Sequence, residues 1–266
     1  TIAADAFANE PDTDFSVPHK RTWITAILDR RRTAPCIDVP LQVGGIERFA
    51  EPRDDGFDPS RPGAKPYRFA LATEADIECA LATSVTAAQR WGSVPVEQRA
   101  ERLLDVAQAL REQRGELIAA MVLDAGKRVD QADTEVSEAI DFAEYYARSM
   151  LDWSTSQPDL DLQPRGVVLV TPPWNFPLAI PLGGVLAALV AGNSVILKPA
   201  LETVLVGERL ARLCWEAGIP QDSLQLVICS DESGSQLIRD PRVAQVVLTG
   251  GTQTARLFQR LRPGLA

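Results

Sequence analysis

Four short segments hold the side chains best placed to do chemistry. Asn175 sits between Trp174 and Phe176 in a loop braced by Pro172, Pro173 and Pro177. An amide N–H₂ held on a rigid loop suits an oxyanion, because it stabilises charge developing on a carbonyl oxygen. The same residue also serves as an ordinary turn former with its amide satisfied locally. Lys198, kept extended by Pro199, is a donor for phosphate or ribose hydroxyls, or else a solvated strand-end lysine. Gly250-Gly251 lets backbone N–H groups approach a pyrophosphate at a helix start, or simply closes a tight turn. Cys229 is the cysteine nearest such a position, but no histidine follows it in the chain, and a buried structural thiol is the expectation. A GxGxxG dinucleotide fingerprint is absent.

These segments need a sheet to hold them, and the hydrophobic pattern supplies one. From 166 onward, apolar runs alternate with helical periods: strands at Gly166–Val170, Ser194–Leu197, Leu224–Ile228 and Val243–Leu248, helices at Pro177–Val190, Val204–Ala217, Ser233–Arg239 and Thr252–Leu261. Continuous apolar strands separated by helices predict an open parallel sheet with right-handed crossovers. The candidate residues all fall just beyond strand ends, where such sheets bind ligands. Between 73 and 150 the period is helical. Thr73 caps the first helix with acidic residues in its first turn, Gly92 ends it, and Gly115 stops the next. In the helix from Thr134 to Met150, Glu135, Glu138, Asp141 and Glu144 form the wetter side. Residues 1–70 read as an extended arm and Pro/Gly-rich linker with one short helix, Trp23–Arg32.

The fold class is therefore α/β, an open parallel Rossmann-like sheet with flanking helices, preceded by an arm (1–70) and a helical layer (71–160), the sheet spanning 165–266. The charge balance excludes some partners. With 27 Lys+Arg against 36 Asp+Glu the net charge is −9, which disfavours nucleic acid and anionic membranes. Arg30-Arg31-Arg32 reads as a solvated helix end. The apolar run Leu178–Val190 is too short to span a bilayer, which needs about 20 residues, and it is interrupted by Pro181, Gly183 and Gly184. Four irregularly spaced cysteines and a single histidine offer no metal site and read as reduced thiols in a cytoplasmic protein.

Four ordered motifs now carry a resemblance. Pro173-Trp174-Asn175-Phe176-Pro177-Leu178, Gly192–Pro199, Glu216–Pro220 and Leu248–Thr252 follow one another as in the aldehyde dehydrogenase superfamily. Upstream, Asp124-Ala125-Gly126-Lys127, Glu135-Val136, Ala139–Phe142 and Tyr145-Tyr146 resemble its glutamate-semialdehyde (pyrroline-5-carboxylate) dehydrogenase branch, which includes the dehydrogenase module of bifunctional proline utilisation enzymes. Phe7–Phe15 resembles the connector leading into that module.

The resemblance implies the following roles. Asn175 is the oxyanion-hole asparagine. Thr171, Pro172 and Trp174 line the nicotinamide side of NAD, or of NADP. Lys198 binds the adenosine ribose, Gly234 lies beside the adenine pocket, and Thr249, Gly250 and Gly251 form the turn below the pyrophosphate. Leu201 stands where the family has a ribose-binding glutamate, which leaves that task to Glu202 through a one-residue bulge, and Gly251 replaces a serine. The implied activity is oxidation of L-glutamate γ-semialdehyde to glutamate in proline catabolism, in a homo-oligomer or a larger polypeptide that includes proline dehydrogenase. The family's general-base glutamate and nucleophilic cysteine would lie beyond Gly251, and none of the four cysteines matches. The catalytic domain is thus expected to be absent and the chain alone to oxidise no aldehyde. The alternative is a non-catalytic nucleotide-binding or oligomerisation module.

Overall fold

A computed structural model describes residues 7–49, 51, 53–157, 159 and 162–264. The first six residues of the predicted arm and the two that end the predicted sheet region lie outside the described residues. In chain order the structure runs through α1 (Pro18–Thr33), strands β1 (Ile37–Val39), β2 (Leu41–Val43), β3 (Ile46–Arg48), β4 (Arg53–Gly56) and β5 (Tyr67–Ala70), then helices α2 (Glu74–Gly92), α3 (Val96–Glu112), α4 (Arg114–Ala125) and α5 (Val129–Ser156). The alternating part follows: β6 (Val167–Thr171), α6 (Ala179–Val190), β7 (Ser194–Leu197), a 3-10 turn at Leu201–Thr203, α7 (Val204–Glu216), β8 (Leu224–Leu226), α8 (Asp231–Arg239), β9 (Val243–Leu248) and α9 (Thr252–Leu261).

The main sheet has the order β3-β2-β8-β7-β6-β9, with β6, β7, β8 and β9 parallel as their apolar runs predict. Every residue of β6 and β7 is buried. The chain moves from β6 to β7 to β8 in one direction, then returns across the sheet to β9. Right-handed crossovers therefore put α6 and α7 on one face and α8 on the other. The apolar run at 178–190 becomes α6, a helix buried almost all round between the sheet and α5. Its two glycines permit the close approach: a Cβ on Gly183 would meet the Phe142 ring at 3.1 Å, and one on Gly184 would meet Val170 and Val247 at 3.2 and 3.3 Å. Among the described residues no helix is long and apolar enough to cross a membrane.

The first seventy residues are less of an arm than the sequence predicts. β2 pairs antiparallel with β8 and with β3, so they extend the main sheet, while β1, β5 and β4 form a separate sheet. Leu41, Val43, Tyr67 and Phe69 are buried. These strands are three or four residues long, too short to show a period, and β8, through which β2 joins the main sheet, lies far along the chain. Other differences are local. Gly115 lies inside α4 rather than ending a helix, because α1 crosses there and a Cβ would strike Ile27 and Trp23 at about 2.5 Å. The arginine run is not wholly solvated, since Arg30 and Arg31 both pair with Glu116 of α4. Thr73 and Asp76 form the expected capping box at the start of α2.

One buried contact orients α7, and with it the turn carrying Glu202. Asp124, at the end of α4, accepts a hydrogen bond from the Tyr67 hydroxyl (2.6 Å) and from the Val206 N–H (3.0 Å), so a carboxylate meets the N-terminal turn of α7. Burial raises the Asp124 pKa from 3.8 to about 7. Because the folded state holds this proton more tightly than the unfolded chain, the stability Asp124 contributes is complete below about pH 4 and is lost as pH rises towards 7. The wild-type chain should therefore lose stability across that window relative to Asp124→Asn, measured as ΔG from urea unfolding at several pH values. Parallel profiles would contradict this assignment.

Candidate functional site

The C-terminal ends of β6, β7 and β9 open into a cleft of about 860 Å³, within the range of small-molecule sites. Its position follows from strand order. The chain leaves β6 for β7 on one side and comes back to β9 on the other, so the loops after β6 and β9 diverge and leave a crevice between them. The structure brings all ten predicted residues to this one cleft: Thr171, Pro172, Trp174, Asn175, Lys198, Glu202, Gly234, Thr249, Gly250 and Gly251.

Asn175 is exposed, and its side-chain amide has no hydrogen-bond partner among the described residues. It is therefore free to donate to an incoming oxygen. What fixes it is its backbone. Lys127 Nζ donates to the Asn175 carbonyl (3.2 Å) and sits 4.3 Å from the centre of the Phe176 ring. The same ammonium pairs with Glu135, whose side chain is 1% exposed. The other oxygen of Glu135 accepts from the N–H groups of Leu178 and Ala179, at 2.8 and 3.1 Å. One carboxylate thus caps α6, which has no side-chain cap of its own, and anchors the ammonium that holds the asparagine loop. The sequence places Glu135 on the wet side of its helix. The structure corrects this, because three donors compensate the burial.

The other end of the cleft suits a nucleotide. α9 begins at Thr252 with no side-chain cap, so its first N–H groups face the cleft unclaimed. Neither Gly250 nor Gly251 has a positive φ, and a Cβ on Gly251 would meet nothing within 4 Å. The fold itself does not require a glycine at 251, and the bare backbone leaves room for a close ligand. At Gly234 the reverse holds: a Cβ would strike Cε of Lys198 at 2.6 Å, so the lysine stem lies over α8. The Lys198 ammonium is 3.6 Å from a carboxylate oxygen of Asp231. Glu202, exposed in the 3-10 turn after Lys198, offers acceptors for ribose hydroxyls. A helix N-terminus, one lysine, an exposed carboxylate and the apolar walls Ile180, Ile238, Leu248 and Leu257 fit a dinucleotide in kind and in number.

No cysteine lines the cleft among the described residues. Cys229 and Cys214 are buried, and burial pushes their thiols up to about 11 and about 12. Both are protonated and inert, as expected for structural thiols. Sequence reading finds Lys127 and Glu135 only as parts of family-like motifs and assigns them no task. Nothing local in the sequence marks Glu135 as buried, since Asp133, Thr134, Ser137 and Glu138 surround it in the chain. Lys127→Met should lower Tm by roughly 5–10 °C, because it strands a buried carboxylate at a cost of about 3 kcal/mol. Adding Glu135→Gln should recover a good part of that loss. Calorimetric melting of the two variants checks this, and additive losses would contradict the pairing.

Residues 52–262 match the aldehyde dehydrogenase family. The 1-pyrroline-5-carboxylate dehydrogenase of Staphylococcus epidermidis is 36% identical over 265 residues, covering 96% of this chain and 52% of that protein. A Thermus 1-pyrroline-5-carboxylate dehydrogenase with bound NAD superposes with a TM-score of 0.93 at 31% identity, covering all of this chain and 54% of that one. Proline utilization A from Bdellovibrio bacteriovorus, inactivated by N-propargylglycine, gives a TM-score of 0.93 at 30% identity over 99% of this chain and 29% of its own. The chain spans about half the length of the curated relatives it matches. With the family match extending over most of its residues, the chain belongs to the aldehyde dehydrogenase family.

Proposed function

We propose that this chain forms the cofactor-binding part of an NAD(P)-dependent dehydrogenase that oxidises L-glutamate γ-semialdehyde to glutamate in proline catabolism. The observation that carries the reading is the single cleft, which gathers an uncapped helix N-terminus, a lysine and an unpartnered amide at the strand reversal. The names of the relatives supply the substrate class. The likeness of this chain to a small part of the longer proline utilization A chains, one of them described as bifunctional, supports a setting within a larger polypeptide, which the family resemblance suggests includes proline dehydrogenase. Four free cysteines support a reducing, cytoplasmic one.

In this reading each residue has a physical task. The N–H groups at the start of α9 hold the pyrophosphate, with Gly250 and Gly251 letting it come close and Thr249 beside them. Lys198 and Glu202 hold the adenosine ribose, and Gly234 keeps the lysine stem pressed against α8. Thr171, Pro172 and Trp174 wall the nicotinamide end. When bound, the cofactor supplies the acceptor for the electrons that the aldehyde loses. Asn175 donates its amide N–H to the aldehyde oxygen as that oxygen gains charge. The nucleophile comes from outside this lining, since no cysteine is among the described residues that form it, and the family resemblance puts the general base outside it too.

A nucleotide-binding module without chemistry of its own is the second reading, favoured by that same thiol-free lining. A reading frame that continues past Ala266 into a Glu-x-Gly-Gly motif and then a Gln-x-Cys motif supports the dehydrogenase, and a stop codon there supports the module. Both require nucleotide binding. NAD⁺ should bind saturably by calorimetry and quench Trp174, which is exposed in the cleft. Gly251→Ala should weaken that binding roughly tenfold or more while leaving Tm within about 2 °C, because the added Cβ has no protein atom within 4 Å. A wild-type chain that binds neither NAD⁺ nor NADP⁺ would overturn both readings.

A further inference from the structure

The nucleotide-binding reading leaves open which dinucleotide fits, and the charges around Lys198 bear on it. Among the described residues lining the cleft, Lys198 is the only cation, while Glu202 and Asp231 are both anions. No arginine lies there to form the planar fork that usually receives a phosphate monoester. The lysine itself is engaged: its ammonium lies 3.6 Å from Asp231, and its side chain is only 13% exposed. Gly234 holds the stem in that place, since anything larger would displace it. The other anion-attracting feature nearby is the N-terminus of α8. Its first turn already carries Asp231 and Glu232, and Ser230 caps it through the Ser233 N–H.

We propose that Asp231 is a specificity-determining residue, which makes the cleft select a dinucleotide with a free adenosine 2′-hydroxyl over one with a 2′-phosphate. A 2′-phosphate carries between one and two negative charges at neutral pH. Brought to the ribose end, it meets the Asp231 carboxylate in front of the one cation it needs, with Glu202 beside it. A 2′-hydroxyl meets no such opposition, and it donates to a carboxylate while accepting from the ammonium. With Asp231 holding part of its charge, Lys198 still serves a hydroxyl but has less to offer a phosphate. The inference rests on the nucleotide reading but assigns to Asp231 a task distinct from binding as such.

The test compares NAD⁺ with NADP⁺, and adenosine 5′-monophosphate with adenosine 2′,5′-bisphosphate, by calorimetric titration of the full chain. The second pair differs only at the 2′ position and reports on the ribose end alone. The wild-type chain should prefer the 2′-hydroxyl member of each pair. Asp231→Asn and Asp231→Ser should narrow that preference by roughly five- to tenfold, mainly by strengthening binding of the 2′-phosphate members. Glu232→Gln removes the same charge one residue away, outside the cleft lining, and should leave the preference as in the wild type. A preference unchanged by both Asp231 variants, a wild-type preference for the 2′-phosphate members, or an equal effect of Glu232→Gln would overturn the proposal while leaving nucleotide binding intact. Failure of every nucleotide to bind the wild-type chain would overturn the underlying reading and this one with it.

Discussion

The Glu135 carboxylate lies where water does not reach, and the mouth of the cleft is organised by the way it is satisfied. Desolvating a carboxylate costs several kcal/mol unless donors surround it. Here the donors are the Lys127 ammonium and two backbone N–H groups at the start of α6. Each ties a different part of the chain to the same point. The backbone donors set where α6 begins and thus how the loop after β6 enters it. The ammonium reaches on to the Asn175 carbonyl and the Phe176 ring, so the loop cannot turn its asparagine elsewhere without uncovering a buried charge. An amide that faces solvent is held in place through a carboxylate that does not.

Strand order contributes the second constraint. A single reversal, from outward growth through β6, β7 and β8 to return at β9, separates two loops that would otherwise close over each other. Everything proposed to touch a ligand stands beyond the C-terminal ends of β6, β7 and β9 or at the start of α8. The same route sends α8 to the face opposite α6 and α7. That brings its first turn, with Asp231, against the lysine at the end of β7. The polar character of the nucleotide end is thus a consequence of topology as much as of local sequence.

Much of this was legible from residues alone, where the physical signal is local. Val167–Val170 and Val195–Leu197 are unbroken apolar runs, and buried parallel strands look like that. Thr73 and Asp76 announce a helix start by their spacing. Most of the cleft residues lie in the segments that the strand-end rule singles out, while Gly234 came from the family resemblance. What stayed hidden depends on distant partners. β2 and β3 are three residues each; they pair with one another, and only the contact of β2 with β8 joins them to the main sheet. Gly115 looks like a stop signal until α1 is seen to cross it. Glu135 follows the charge pattern of an exposed helix face, and its burial is intelligible only once Lys127 and the start of α6 surround it. The residues alone located Asn175 and Lys198 at strand ends, the resemblance to aldehyde dehydrogenases chose between their alternative roles, and the contacts that hold both are read from the structure.

α9 has a consequence for how a ligand would be held. The helix offers its first turn to the cleft, yet none of its residues is fully buried; Phe258 and Leu261 are only half covered, and β9 beneath it forms the edge of the sheet. With few apolar contacts to the described residues around it, α9 draws little of its order from them and opens at low cost in free energy. A ligand bound to its N-terminus recognises only the closed form. Occupancy and helical order are then one equilibrium: each bound molecule spends part of its affinity on keeping the helix formed, and slower amide hydrogen exchange along α9 becomes a direct measure of saturation.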